Sequence, residues 1–375
     1  MDKAIPEIFR ELLERPVNRF VDEARDSGNK IIGYTCSYVP EPLIGVDGLV
    51  PVRMRAPGVA GTPMADTYLS SVICSYCRSL LEFALDGVYD GLDGWVFTGS
   101  CDHLRRLHDN LAYLVKPAFN HIIDLPHKLS DEAVDWFAEE LKTLADALSE
   151  SFDVDTSEAS LAITIEVHNE YLELMQSIGK LRKRDNPPIS GADFHTLIAA
   201  CDASPKGMLL DQLWELKEEL EETEGISGHR ARLMLVGSQL DDPAYIRVIE
   251  SLGGLVVADR CCLGSIPGLE PIAESGDPLR TLAEHYLRKT SCPRMMEEFD
   301  SRVADIVRAA EEFNADGIVV ETMKFCDTWG VESSPLVSTL REAGIPVLRL
   351  EREYSLTGEG QMRTRVQAFL ESMGK

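Results

Sequence analysis

The chain has 375 residues, 44% of them hydrophobic, and carries 63 acidic against 37 basic side chains for a formal charge of −26. That charge excludes nucleic acid and anionic membrane surfaces as main partners, and the length suits about two to three ordinary domains. No stretch approaches the roughly 18 apolar residues of a membrane span, and the charged amphipathic start lacks a small-residue cleavage site, so a cytoplasmic protein is expected. Nine cysteines in such a chain argue against a disulfide scaffold, and each taken singly reads first as a small buried hydrophobe.

Residues 1–25 read as an N-terminal helical segment broken at Pro16. A strand at 30–34, a helix opened by Pro40-Glu41-Pro42 and a strand at 48–53 follow, the proline and glutamate suiting a first helical turn. A glycine- and threonine-rich loop spans 58–70. Helix 76–89, strand 94–98, helix 102–114 and a strand from 119 come next, then an apolar helical period through Val134, Phe137, Leu141, Leu144 and Leu148 with Ser130 as its N-cap. Residues 156–222 are helical throughout, interrupted at Pro187-Pro188. A second alternation begins with strand 231–238, helix 243–252 and strand 254–259, and continues with helix 298–312, strand 317–320, helix 335–342, strand 345–350 and helix 361–373. Strands that are continuous apolar runs separated by helices predict parallel sheets covered on both faces. The expected division is 1–25 helical, 26–155 a first α/β domain, 156–228 a helical linking region and 229–375 a second α/β domain.

Two cysteines share a setting. Cys101 and Cys326 each lie a few residues past an apolar strand-like run and each precede an aspartate, Asp102 or Asp327. This puts both at carboxyl ends of strands, the edge where open α/β sheets bind ligands. Cys74 precedes a helix, so its thiolate would face the positive pole of that helix. Three thiolates meeting at one point are the natural ligand set of an iron–sulfur cube with one open iron. Around them, Arg78 and Lys324 would place positive charge near the sulfurs or else serve neighbouring carboxylates. His103 and His127 are candidate proton donors, with structural hydrogen bonding the plainer role. Arg105, Arg106, Arg363 and Arg365 suit either phosphate binding or surface ion pairs.

The segments GYTCSYVPEPLI, those around Cys74 and Cys101, MKFCD, and the ending LEREYSLTGEGQMRTRVQAFLE resemble the 2-hydroxyacyl-CoA dehydratase and benzoyl-CoA reductase family of iron–sulfur subunits, over nearly the whole chain. The resemblance implies an α/β fold of two flavodoxin-like parallel-sheet domains with an added helical region and a [4Fe-4S] cluster between them. Carried over by motif, the ligands are Cys74, Cys101 and Cys326, with Cys77 the rival of Cys74. Ser37 and Glu41 fall where the family places groups near the open iron.

The resemblance further implies an acyl-CoA substrate, a homologous cluster-carrying partner subunit, and a separate homodimeric iron–sulfur ATPase activator. This chain has neither a GxxxxGK[ST] loop nor a CxxCxxC run, so ATP would bind only on that activator. The wording of TCSYVPEPLI, LPHK and CDHLRRLHDN leans toward a cluster-carrying subunit of a class I benzoyl-CoA reductase, reducing the aromatic ring of benzoyl-CoA or an analogue. The alternatives are a beta-type subunit of an (R)-2-hydroxyacyl-CoA dehydratase eliminating water through a ketyl radical, a double-cubane-cluster reductase of small molecules, and a non-catalytic acyl-CoA-binding or scaffold subunit. The double-cubane alternative needs more than three thiolates, and Cys36, Cys77, Cys201, Cys261, Cys262 and Cys292 keep it open.

Overall fold

Two four-stranded parallel sheets with the same topology organise the computed structural model, which describes residues 5–264, 269–288 and 292–375. The first four residues of the expected N-terminal helix lie outside these. The first sheet contains β1 (Lys30–Tyr34), β2 (Leu49–Arg53), β3 (Gly94–Thr98) and β4 (Phe119–Ile123) in the order β2-β1-β3-β4. The second contains β5 (Ala231–Gly237), β6 (Gly254–Cys261), β7 (Gly317–Met323) and β8 (Val347–Arg352) in the order β6-β5-β7-β8. This is the flavodoxin-like order, whose direction reverses between the first and third strands of each sheet, and the expected fold class is met.

Burial explains why the strands were continuous apolar runs. In β3, Val96 packs into the core shared with the helical region, while Trp95 and Phe97 enter the core on the opposite face. In β5, Leu233 and Leu235 face one way and Met234 and Val236 the other, each into its own cluster. Both faces of these central strands are therefore covered, while the edge strands β4 and β8 keep partly exposed residues and Glu351 of β8 is exposed.

Helix Asp131–Phe152 follows β4, and the helical region contains Glu158–Lys180, Gly191–Asp202 and Leu210–Glu222. Ser130 caps Asp131–Phe152 as expected, accepting from the Ala133 N–H at 3.2 Å. The N-terminal segment is two short helices, Ile8–Glu11 and Arg19–Asp26, the second capped by Asn18. Asn18 also donates to the Ala203 carbonyl at 2.8 Å, so one buried amide both starts a helix and fastens the N-terminus to the helical region. Two other differences have local causes. Helix Asp327–Glu342 starts eight residues before the expected 335 and carries Pro335 inside it. The carbonyl that Pro335 leaves without an N–H belongs to exposed Val331, where water can donate to it. Helix Pro278–Leu287 was not anticipated, although Asp277-Pro278 is a proper cap and first-turn pair.

The helical region is locked to the second sheet by charge as well as by apolar packing. Arg182, fully buried, donates from Nη1 and Nη2 to Asp259 Oδ2, each at 3.2 Å, and stacks 3.9 Å from the Phe194 ring centre. Gly191 is needed beside it, because a Cβ there would stand 2.3 Å from the Val256 carbonyl oxygen. Arg182→Ala would leave Asp259 buried without its guanidinium, and unfolding in urea should show a loss of about 3–5 kcal/mol. A loss under about 1 kcal/mol would mean that the pair is dispensable.

Glu250 fastens the same joint by accepting from Gly191, Ala192 and Val256 N–H groups at 2.8, 3.3 and 3.2 Å. Burial nonetheless outweighs these donors and pushes its carboxyl up to about 7. A raised acid contributes stability that is complete below its unfolded value and is lost as pH rises through the folded value. Between pH about 5 and about 8, wild-type stability should therefore fall relative to Glu250→Gln, by up to about 3 kcal/mol. A difference independent of pH would refute the shift.

Candidate iron–sulfur cavity

The carboxyl ends of both sheets face each other. After β1 come Cys36 and Ser37, after β3 Ser100 and Cys101, after β5 Ser238 and Gln239, after β6 Cys262, and after β7 Cys326. Both points where strand order reverses therefore open onto one space. It is a cavity of about 770 Å³, counted out to its open mouth, and seven of the nine cysteines line it: Cys36, Cys74, Cys77, Cys101, Cys262, Cys292 and Cys326. Four come from the first sheet's half of the chain and three from the second's. Cys201 lies in the core and Cys261 is buried in β6, both away from the cavity.

Each thiol is placed by its element. Cys74 and Cys77 begin helix Ser75–Leu85, and Cys101 is the N-cap of helix Asp102–Leu114, where its sulfur accepts from the Leu104 N–H at 3.5 Å. Cys326 is the N-cap of helix Asp327–Glu342, following Phe325 in a left-handed conformation at φ 61°. That turn aims the Cys326 sulfur inward while Phe325 stays exposed. Fully buried Trp329 donates its indole N–H to the Cys262 sulfur at 3.4 Å. Cys292 is held by Arg302, which donates to the Cys292 and Met295 carbonyls at 3.1 and 3.0 Å and is itself paired with buried Glu332. Arg294, two residues on, donates to the Ser100 and Leu125 carbonyls of the first half.

The lining supplies thiols, the donor type that iron–sulfur clusters take. Among the described residues no three His, Cys, Asp or Glu side chains are close enough to hold one metal ion; the sulfurs surround a space instead. Cys77 and His103 lower Cys74 to about 5, and Cys262 lowers Cys292 to about 7. Burial pushes Cys101 up and Cys326 up to about 12. Metal entry would therefore have to displace protons that the dry cavity retains.

The other expected residues separate. Ser37 lines the cavity, donates to the Cys262 carbonyl at 2.5 Å and accepts from Arg53 at 3.0 Å. Glu41 lies behind the wall, bonded to Lys206. His103 is buried; its Nδ1 accepts from the Cys74 N–H at 3.1 Å, and its Nε2 is 3.1 Å from Asp327, so it bridges the two halves beside the cavity. His127 is exposed and outside the lining. Arg78 pairs with Asp66 at 3.0 Å and fastens the loop before Cys74, and Lys324 faces solvent 3.5 Å from Glu353. Arg53 and Gln239, which line the cavity, were not singled out from sequence. Their signal was position alone, at or just past carboxyl ends of strands.

Residues 36–373 match the sequence model of a family described as 2-hydroxyglutaryl-CoA dehydratase, D-component. The chain belongs to this family. Its relatives include the (R)-phenyllactyl-CoA dehydratase beta subunit of Clostridium sporogenes, 25% identical over 97% of both chains. The putative dehydratase subunit YjiM of Escherichia coli is 26% identical over 98% of both. A benzoyl-CoA reductase subunit of Thauera aromatica is 22% identical over 93% of this chain and 92% of its own. Family members of this kind are subunits of acyl-CoA dehydratases and reductases, and among the described residues no helix is long and apolar enough to cross a membrane.

The Arg302–Glu332 clamp makes a prediction about the metal-free protein. Arg302→Ala should loosen the Cys292 loop and raise the alkylation rate of Cys292 at least about tenfold relative to core Cys201, read by peptide mass spectrometry. Equal rates would mean that the clamp does not hold that thiol.

Proposed function

We propose that the cavity holds a double-cubane iron–sulfur cluster and that the chain is a low-potential reductase of small unsaturated molecules. The observation that carries this reading is the lining of one cavity by seven thiols from both halves. A single open cube needs three protein thiolates, which Cys74, Cys101 and Cys326 would supply. It would leave Cys36, Cys77, Cys262 and Cys292 around the same space without a task. Two joined cubes use more, with Cys262 and Cys292 as additional ligands and Cys36 or Cys77 completing the set. Such a group, when bound, supplies electrons one at a time at low potential.

The chain's own residues would do the rest. The cysteines would hold the group, Trp329 and the apolar walls would exclude water, and Ser37 would offer its hydroxyl where a substrate could meet it. His103, fastened to the Cys74 backbone and to Asp327, would keep the halves in register instead of donating protons. Electrons would come from the separate homodimeric iron–sulfur ATPase that the family resemblance implies, and ATP would bind there since this chain has no GxxxxGK[ST] loop.

The relatives favour a second reading. Their names describe subunits acting on acyl-CoA thioesters. On that reading the chain carries one [4Fe-4S] cluster on Cys74, Cys101 and Cys326 and works beside a homologous cluster-carrying subunit, as a dehydratase beta subunit or a benzoyl-CoA reductase subunit.

Iron and acid-labile sulfide per chain, measured on protein purified without oxygen, separate the two. The double cube predicts about eight of each, falling when Cys262 or Cys292 is changed to serine. The single cube predicts about four of each, unaffected by those changes and lost with Cys101→Ser. Protein without iron would refute both.

A further inference from the structure

Arg53 is the only arginine, lysine, aspartate or glutamate among the described residues that line the cysteine cavity. It ends β2, its side chain is 2% exposed, and a guanidinium keeps its charge even when buried. Its nearest partners are neutral: Nη1 donates to Ser37 Oγ at 3.0 Å and Nη2 to Gln239 Oε1 at 2.8 Å. The closest carboxylate, Asp202, is 4.0 Å away and is drawn off by Lys206 at 3.0 Å, which also holds Glu41. Two cations and two carboxylates thus form a largely buried set of zero net charge. Its carboxylates and lysine lie behind the wall, and its arginine is in the wall.

A buried cation uncompensated on the cavity side favours negative charge in that cavity far more than a surface cation would. Adding one electron to a cluster of thiolate-bound iron adds one negative charge. We infer that Arg53 is a positioning residue that sets the potential at which the cavity's redox group accepts its electron, with Asp202 as the opposing charge. This rests on the reading that the cavity holds an iron–sulfur cluster, whether one cube or two.

The test is the midpoint potential of the full-length, iron-loaded protein, followed by electron paramagnetic resonance in a redox titration. Arg53→Gln should shift the reduction equilibrium against the reduced form at least tenfold, about 59 mV downward for one electron. Asp202→Asn should move it upward, and Arg53→Lys should stay nearer wild type than Arg53→Gln. Opposite signs distinguish charge from packing, because mere loosening of the wall gives no reversal. If Arg53→Gln does not fold or load iron, Asp202→Asn and Arg53→Lys decide the matter. Potentials unchanged in loaded Asp202→Asn, or shifted the same way in both neutralising variants, overturn the inference while leaving the cluster reading intact. Wild-type protein without iron overturns both.

Discussion

The structure depends on a polar seam between the carboxyl ends of two parallel sheets. Strands of a covered parallel sheet are dry along their length, but their carboxyl ends emerge as loops with unpaired backbone groups. Here two such edges meet, and each satisfies the other. Ser37 donates to the Cys262 carbonyl, Arg53 to Gln239 and Arg294 to the Ser100 carbonyl. Tyr354 accepts from the Ala56 N–H and donates to Asp241, each at 2.8 Å, while its own N–H donates to Ser75 at 2.7 Å. His103 spans from the Cys74 backbone to Asp327. The cysteines line the space between these cross-links.

A second buried network orders the second sheet's side of the seam. Glu321 of β7, with no exposure, is held by Arg352 of β8 at 2.7 Å and approached by Ser238. Ser238 in turn accepts from the Met323 N–H at 2.7 Å. Gly237 permits this, since a Cβ there would stand 2.0 Å from the Glu321 carbonyl oxygen. The loop bearing Gln239 and the turn leading to Cys326 are therefore fixed to each other. Buried ion pairs such as these add little net stability over an apolar substitute, but removing one member is costly. Their value here is to hold two loops in one arrangement against a cavity.

The resulting site is asymmetric in charge. Thiols from both halves line the cavity, and one wall adds Arg53 backed by Lys206, Asp202 and Glu41. A negatively charged cluster would meet compensation from one side only. On the reading that the cavity holds such a cluster, that asymmetry would adjust electron affinity without altering any ligand.

Much of this was written in the sequence. The strands were legible as apolar runs because parallel sheets are buried on both faces, and the boundaries of 30–34 and 94–98 agree with β1 and β3. Cys101 and Cys326 were legible because a polar residue just past an apolar run is at a carboxyl end whatever the rest of the chain does. Local chemistry misled where tertiary packing overrode it: Pro335 looked like a helix start and lies within one, and Glu41, in the same loop as Ser37, turned to Lys206 behind the wall. The sequence by itself determined the fold class, the two-sheet division and three of the cavity's cysteines, since each follows from periodicity or from resemblance along one stretch. Only the tertiary structure decided that seven thiols share one space, that Arg53 is the charge beside them and that His103 is a bridge. Those facts join residues up to about 290 positions apart, and no local pattern records which strand ends will face each other.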